Sequence, residues 1–301
     1  MKKTYVFDID GTLKIPKEKE ATEAVKNALK KEVEQRNEIV IATGRPLKTA
    51  LWFTDSLDIL PITILTSNGN LTVRKSIDTT EVLYYSPLNK EKCITVVREM
   101  GRLGVQAFLV LCNAQNILTG KTDDNVRVRD YISALDNKAN TTEKANEGEP
   151  STLTLSSQDT DISYVPVDPE KVKEMLDYDI LNIHVHPNTN EQMNLVIETL
   201  KLFDSDDLKM VRSSDTIVDI NDPKNSKGTC LEKLGFGGFC VYMGDSENDI
   251  PGIEWAVKKS GVGVAMGNAF DSVKEKANFV TKSVDEDGVV FALDYVNHSF
   301  K

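Results

Sequence analysis

Short apolar runs that stop abruptly in small or polar residues, each followed by a stretch with helical spacing, recur at both ends of the chain. Four stand out: TYVFDIDGT, EIVIATGRP, ITILTSNGN and FCVYMGDSEND. Their apolar parts are short, rich in Val and Ile, and continuous rather than alternating, which predicts strands buried on both faces of a parallel sheet. Two weaker runs, GVGVAMGNA and NFVTKS, follow near the C-terminus. Between them, Ala21, Val25, Ala28, Leu29 and Val33 fall at three- and four-residue spacing within 18–36, the stripe of an amphipathic helix. Pro46 opens PLKTALWFTDSL at a place where the first turn of a helix tolerates proline. Alternating strand and helix predicts βαβ units and an open α/β sheet. In such sheets ligands bind beyond the carboxyl ends of the strands, and the polar clusters DIDGT, TGR, SNG and GDSEND all fall there.

The middle of the chain reads differently. Strands are predicted at 81–86, 106–112, 180–186, 209–213 and 216–220, with helical patterns at 89–103, 169–177 and 190–203. This is the pattern of a second α/β unit with an antiparallel sheet. Residues 137–152 are polar and nearly free of large apolar side chains, which predicts a mobile surface loop. The expected organisation is a core made of residues 1–83 and 222–301, with a domain inserted at 84–221.

Charge sharpens that division. The 301 residues carry 36 basic and 47 acidic side chains, a net charge of -11. Residues 84–221 hold 14 basic and 23 acidic residues, against 13 and 12 in 1–83 and 9 and 12 in 222–301. A nucleic-acid partner needs basic surface to displace counterions, and no segment offers it. No run approaches the ~18 consecutive apolar residues of a membrane span. The opening MKKTYVFDIDGTL has two Asp where a signal peptide has its apolar stretch, so a cytoplasmic protein with no membrane partner is expected. Cys93, Cys112, Cys230 and Cys240 form no Cys-x-x-Cys pair and read as buried thiols.

The first polar cluster is Asp8-Ile9-Asp10-Gly11-Thr12. Carboxylates at i and i+2 on a strand face one side and repel each other unless a cation lies between them. One reading is a Mg²⁺ site with one carboxylate free to attack phosphorus and the other serving as acid and base. The other is two surface Asp ahead of a turn glycine.

Three further motifs decide between them. DIDGT (8–12), ATGR (42–45), Lys227 in SKGTCLEKLG and GDSENDI (244–250) occur in that order, and the set resembles the haloacid dehalogenase superfamily of phosphatases, in particular its Cof-type sugar-phosphatase branch. TSNGN (66–70), GVGVAMGNA (261–269) and VDEDGVVFAL (284–293) support the likeness. The resemblance implies a Rossmann-like, mostly parallel core with an inserted α/β cap, and a phosphomonoester hydrolase acting on small molecules through an aspartyl phosphate. It implies Asp8 as nucleophile and Asp10 as acid and base. Thr43 would hold the transferring phosphoryl group, and Lys227 would pair with both. The implied Mg²⁺ ligands lie at Asp8, Asp10 through its backbone carbonyl, and Asp245, with Asp249 and Asn248 supporting them. Gly44, Arg45, Asn68 and Asn248 would line the substrate site. Arg45 has two readings, a phosphate contact or an ordinary surface residue, and SNGN around Asn68 reads equally as a structural turn.

Phosphoryl transfer asks chiefly for positioning and positive charge around the equatorial oxygens, which Mg²⁺, Lys227 and Arg45 would provide among so many Asp. A sugar phosphomutase and a phosphometabolite-binding regulator are the alternative functions. For the inserted segment the resemblance implies a lid that selects substrate, with hinges near 83–87 and 220–224 and candidate recognition residues Arg127, Arg129, His184, His186 and Arg212. Other signals are weak. Gly120-Lys121-Thr122 lacks the first glycine of a Walker loop, and Gly261, Gly263 and Gly267 are one residue too long for a dinucleotide fingerprint. His184 and His186 share a strand face without an accompanying ligand set.

Overall fold

The computed structural model describes residues 2–112, 130–132, 165–166, 179–203, 208–213 and 216–300. The predicted loop at 137–152, the helical pattern at 169–177, Gly120 to Thr122, Arg127 and Arg129 lie outside the described residues. The first part of the chain forms β1 (Lys3–Phe7), α1 (Glu23–Glu34), β2 (Glu38–Ala42), α2 (Leu47–Leu57), β3 (Ile62–Thr66), β4 (Leu71–Lys75) and β5 (Thr80–Tyr85). Then come α3 (Lys90–Arg102), β6 (Gln106–Cys112), β7 (Asp130–Ile132), β8 (Val165–Pro166), β9 (Asp179–His186), α4 (Asn190–Lys201), β10 (Lys209–Arg212) and β11 (Val218–Asn221). The last part forms α5 (Lys227–Leu234), β12 (Phe239–Gly244), α6 (Ile250–Lys258), β13 (Val262–Ala265), α7 (Asp271–Lys274), β14 (Phe279–Val280) and α8 (Gly288–Ser299).

Two compact units result. One comprises Met1–Ser86, Arg212–Ser214 and Lys224–Lys301, the other Pro87–Val211 and Asp215–Pro223. The first is built on an eight-stranded sheet in the order β14-β13-β12-β1-β2-β3-β4-β5. Pairing is parallel from β14 to β3 and antiparallel at β3–β4 and β4–β5, the mostly parallel α/β sheet expected. Every residue of β1 and β3 is buried, which is why their sequences show no polar alternation. Helix α1 starts where Thr22 accepts a hydrogen bond from the Val25 amide, satisfying one of the orphan donors of the first turn. Its Val25 and Leu29 are buried.

One strand lies elsewhere than the pattern suggested. Residues 81–86 read as part of the inserted segment, but β5 pairs with β4 to form the far edge of the first sheet. The hairpin closes where the Ser76 amide donates to the Thr79 carbonyl at 2.8 Å. Strand β4 escapes the pattern because Leu71 and Val73 are its only buried large apolar residues before Arg74 and Lys75 turn outward.

The second unit holds a six-stranded sheet in the order β10-β11-β9-β6-β7-β8. The pairs β9–β11, β6–β9 and β6–β7 are antiparallel, and β7–β8 is parallel. Its core gathers Cys93, Val96 and Met100 of α3 and Met193, Val196 and Leu200 of α4 with Ala107, Leu109, Ile183, Val185, Val218 and Ile220 of the sheet. Because side chains alternate along a strand, Asn182, His184 and His186 occupy the other face of β9.

In the first unit α6 lies so close on β12 that a Cβ on Gly252 would stand 2.1 Å from the Tyr242 ring. Gly252→Ala is therefore expected to overpack this contact and cost about 1–3 kcal/mol. Thermal unfolding would show it as a lowered Tm; an unchanged Tm would mean that the helix lifts off the strand freely.

Candidate active site

Three strand ends and one helix start deliver the polar clusters to a common place in the first unit. Strand β1 ends at Phe7, and the Asp8 amide continues the ladder by donating to the Met243 carbonyl of β12 at 3.0 Å. Strand β12 ends at Gly244, Asp245 follows, and a 3-10 turn at Glu247–Asp249 carries the chain back beneath it. Helix α5 begins at Lys227, capped by the Ser226 hydroxyl, which accepts from the Thr229 amide at 3.1 Å. Gly11 turns the chain after Asp10 with φ +80°, and a Cβ there would lie 2.3 Å from Asp245 Oδ2. A side chain at position 11 would thus both strain the backbone and displace the Asp245 carboxylate.

The charges interlock. Lys227 is fully buried, and its Nζ lies 2.7 Å from Asp8 Oδ1 and 2.7 Å from Asp249 Oδ1. Asp249 Oδ1 also accepts from the Tyr242 hydroxyl at 2.7 Å, and Oδ2 accepts from the Asp245 and Ser246 amides at 3.0 Å each. Four donors saturate this carboxylate. Asp245 accepts from the hydroxyls of Thr12 (3.2 Å) and Ser246 (3.3 Å).

Burial pulls the Lys227 ammonium towards neutrality, but Asp249 and Asp8 outweigh it and hold it above the ordinary lysine value. Burial pushes the Asp8 carboxyl up to about 7, with Lys227 opposing and Asp249 and Asp10 adding to the rise. Asp245 is pushed up to about 8, first by burial and then by Asp8 and Asp249. The single Lys227 ammonium balances only part of the charge of three carboxylates so close together, a condition that favours binding of a divalent cation. One oxygen each of Asp8, Asp245 and Asp249 lies within 4.8 Å of the others, an all-oxygen donor set suited to a hard cation such as Mg²⁺. Since Asp249 is committed to Lys227, Tyr242 and two amides, Asp8 and Asp245 are the carboxylates better placed to ligate, and Asp249 holds them in place.

Asp10 and Arg45 meet. The guanidinium grips the carboxylate in bidentate fashion, Nε to Oδ2 at 2.6 Å and Nη2 to Oδ1 at 2.7 Å. Neither sequence reading of Arg45 included this pair. Burial pushes the Asp10 carboxyl up, yet Arg45 and then Lys14 outweigh it and hold it below the ordinary carboxylate range. Thr43, buried at the end of β2, accepts from the Arg45 amide at 3.1 Å through its hydroxyl. Gly44 between them is half-buried. Asn68, held at φ 55°, and Asn248 come together across 180 residues, the Asn248 amide donating to Asn68 Oδ1 at 3.0 Å. His184 and His186 belong to the second unit, and the Arg212 guanidinium lies 5.1 Å from the Phe270 ring centroid.

Two neighbours of the site escaped sequence reasoning. Lys14 is buried, with Nζ 3.2 Å from Asp10 Oδ1 and donating to the Ile15, Pro16 and Glu18 carbonyls. Nothing in DIDGTLK separates it from a surface lysine. Tyr242 sits within the apolar run FCVYMG and reads as core, which it also is.

The chain matches 5-amino-6-(5-phospho-D-ribitylamino)uracil phosphatase YcsE of Bacillus subtilis (strain 168) at 36% identity over 126 residues, 40% of this chain and 48% of that protein. It therefore spans about half the length of that relative. The match to the putative phosphatase YxeH of the same organism is 26% identical over 300 residues, 97% of each chain. Among solved structures, the subclass IIB sugar phosphatase BT4131 superposes with a TM-score of 0.69 at 21% identity, covering 98% of this chain and 99% of that one, a likeness of fold. Residues 5–293 match the haloacid dehalogenase-like hydrolase family. The chain belongs to the haloacid dehalogenase-like hydrolases.

Proposed function

We propose that this hydrolase is a Mg²⁺-dependent phosphatase of small phosphorylated metabolites, with sugar phosphates as the substrate class, working through an aspartyl phosphate on Asp8. The observation that carries the reading is the buried Lys227 at 2.7 Å from both Asp8 and Asp249 beside an acidic group with the donor set for a cation. The names of the relatives, a ribityl-phosphate phosphatase and a sugar phosphatase, support the substrate class.

In this reading an Asp8 carboxylate oxygen attacks phosphorus, and the bond from phosphorus to the leaving oxygen breaks. Asp10 delivers the proton that the leaving oxygen takes up. Water then attacks the phosphorus, Asp10 takes the water proton, and cleavage of the phosphorus–Asp8 bond frees inorganic phosphate. Arg45 now holds Asp10 ionised, so the acid step calls for the guanidinium fork to move onto phosphate oxygens, which its geometry equally suits. Lys227 keeps Asp8 oriented, and Thr43 offers its hydroxyl to the phosphoryl group. Mg²⁺, held by Asp8, Asp245 and the Asp10 carbonyl, would supply charge against the phosphate dianion. The second unit, Pro87–Val211 with Asp215–Pro223, would select the substrate, with hinges near 83–87 and 220–224.

With p-nitrophenyl phosphate and Mg²⁺, the wild-type chain is expected to release phosphate and Asp8→Asn to release none measurable. Uncatalysed monoester hydrolysis is slow enough to call for accelerations on the order of 10²¹. Equal rates would exclude Asp8 as nucleophile. A second expectation concerns metal removal. Asp8 and Asp245 have folded pKa values raised above the unfolded one, so the stability they contribute is complete below about pH 4 and is lost as pH climbs through about 7 and about 8. In chelator the Tm should fall across that window, and Mg²⁺ should flatten the fall by binding the ionised pair. A pH-independent Tm, indifferent to Mg²⁺, would count against the metal site.

A further inference from the structure

We propose that Lys14 is a positioning residue for the proton transfer assigned above to Asp10, an inference that rests on that reading. The chain reverses directly after Asp10. The Lys14 amide donates to the Ile9 carbonyl at 3.1 Å, the Gly11 amide donates to the Lys14 carbonyl at 3.0 Å, and Asp10 and Lys14 stand as bridge partners. The lysine side chain is buried, and its Nζ donates to the carbonyls of Glu18 at 2.6 Å, Pro16 at 3.1 Å and Ile15 at 3.3 Å. An ammonium has three N–H donors, and these carbonyls take all three. Burying a charge is costly unless hydrogen bonds meet it, and here the turn itself supplies them. The ammonium is therefore anchored independently of the charge on Asp10, whose Oδ1 lies 3.2 Å away.

That fixed cation makes the two Asp10 oxygens unequal. Oδ1 faces Lys14 as well as Arg45 Nη2, while Oδ2 faces Arg45 Nε. In the proposed reaction the Arg45 fork moves onto phosphate oxygens. Lys14 then still holds Oδ1, and Oδ2 is the oxygen that carries the proton, because a proton on Oδ1 would sit against the ammonium. In the first step an Asp8 oxygen forms its bond to phosphorus, and the ester bond breaks with its electron pair passing to the leaving oxygen. That oxygen takes the proton from Asp10 Oδ2, which returns to a carboxylate. The terminal torsion of an aspartate is soft, so without Lys14 the carboxyl group would turn and the proton would lose its direction, a misplacement to which such steps are sensitive.

The test measures kcat/KM of the full chain and of Lys14→Met, with Mg²⁺, on two aryl esters of similar shape, p-nitrophenyl phosphate and phenyl phosphate. The nitro group lets the first leaving oxygen depart as an anion, whereas phenolate, as basic as a tyrosine side chain with its pKa of about 10, departs faster when protonated. Because kcat/KM covers the steps up to ester cleavage, it separates this proton from the later hydrolysis. Lys14→Met is expected to lower it for phenyl phosphate at least about tenfold more than for p-nitrophenyl phosphate, part of the roughly 10²- to 10⁴-fold that a positioned acid contributes. Lys14→Gln, which keeps an amide donor for the turn but no ammonium, should show the same bias and serves if Lys14→Met does not fold. A merely structural lysine would lower both esters alike, so equal losses or unchanged constants would overturn the role of Lys14 and leave the phosphatase reading standing. Hydrolysis of neither ester by the wild-type chain would overturn the phosphatase reading and this role with it.

Discussion

Lys227 joins parts of the chain that are more than two hundred residues apart. Its ammonium is sealed from solvent between Asp8, at the end of β1, and Asp249, beyond β12. Removing such charges from water costs several kcal/mol per ion, and the attraction repays this only when the geometry is close and the remaining hydrogen-bonding capacity is met. Here it is met, since Asp249 takes bonds from Tyr242 and from two backbone amides as well. The triad therefore fixes β1, β12 and the start of α5 to one another, and with them the distance from Asp8 to Asp245.

The same arrangement leaves a deliberate imbalance. One ammonium serves three carboxylates, and Asp8 and Asp245 are driven up by burial and by mutual repulsion. Asp10 is placed differently. Its carboxylate is held down by Arg45 and Lys14 against the effect of burial, so two aspartates two residues apart in sequence end with opposite shifts.

The second unit follows another logic. Its sheet is largely antiparallel, so one face can be apolar while the other carries polar residues. The apolar face is filled by α3 and α4, and the polar residues of β9 are confined to the opposite one.

Much of this was legible before any coordinates. Continuous Val- and Ile-rich runs specified the parallel strands because a strand covered on both faces has no polar positions, and the motifs DIDGT, ATGR, SKG and GDSEND lay at their ends because parallel strands all deliver their carboxyl termini to one edge. Strand β4 and the membership of β5 were not legible, since a short edge hairpin buries too few side chains to leave a period. Nor could the sequence show that Arg45 grips Asp10 or that Lys14 is buried. Residue type and local spacing determine which elements form and which chemistry is available. Pairings between side chains 35 or 219 residues apart, and the proton affinities they set, depend on distances and burial that arise only when the strands and helices pack.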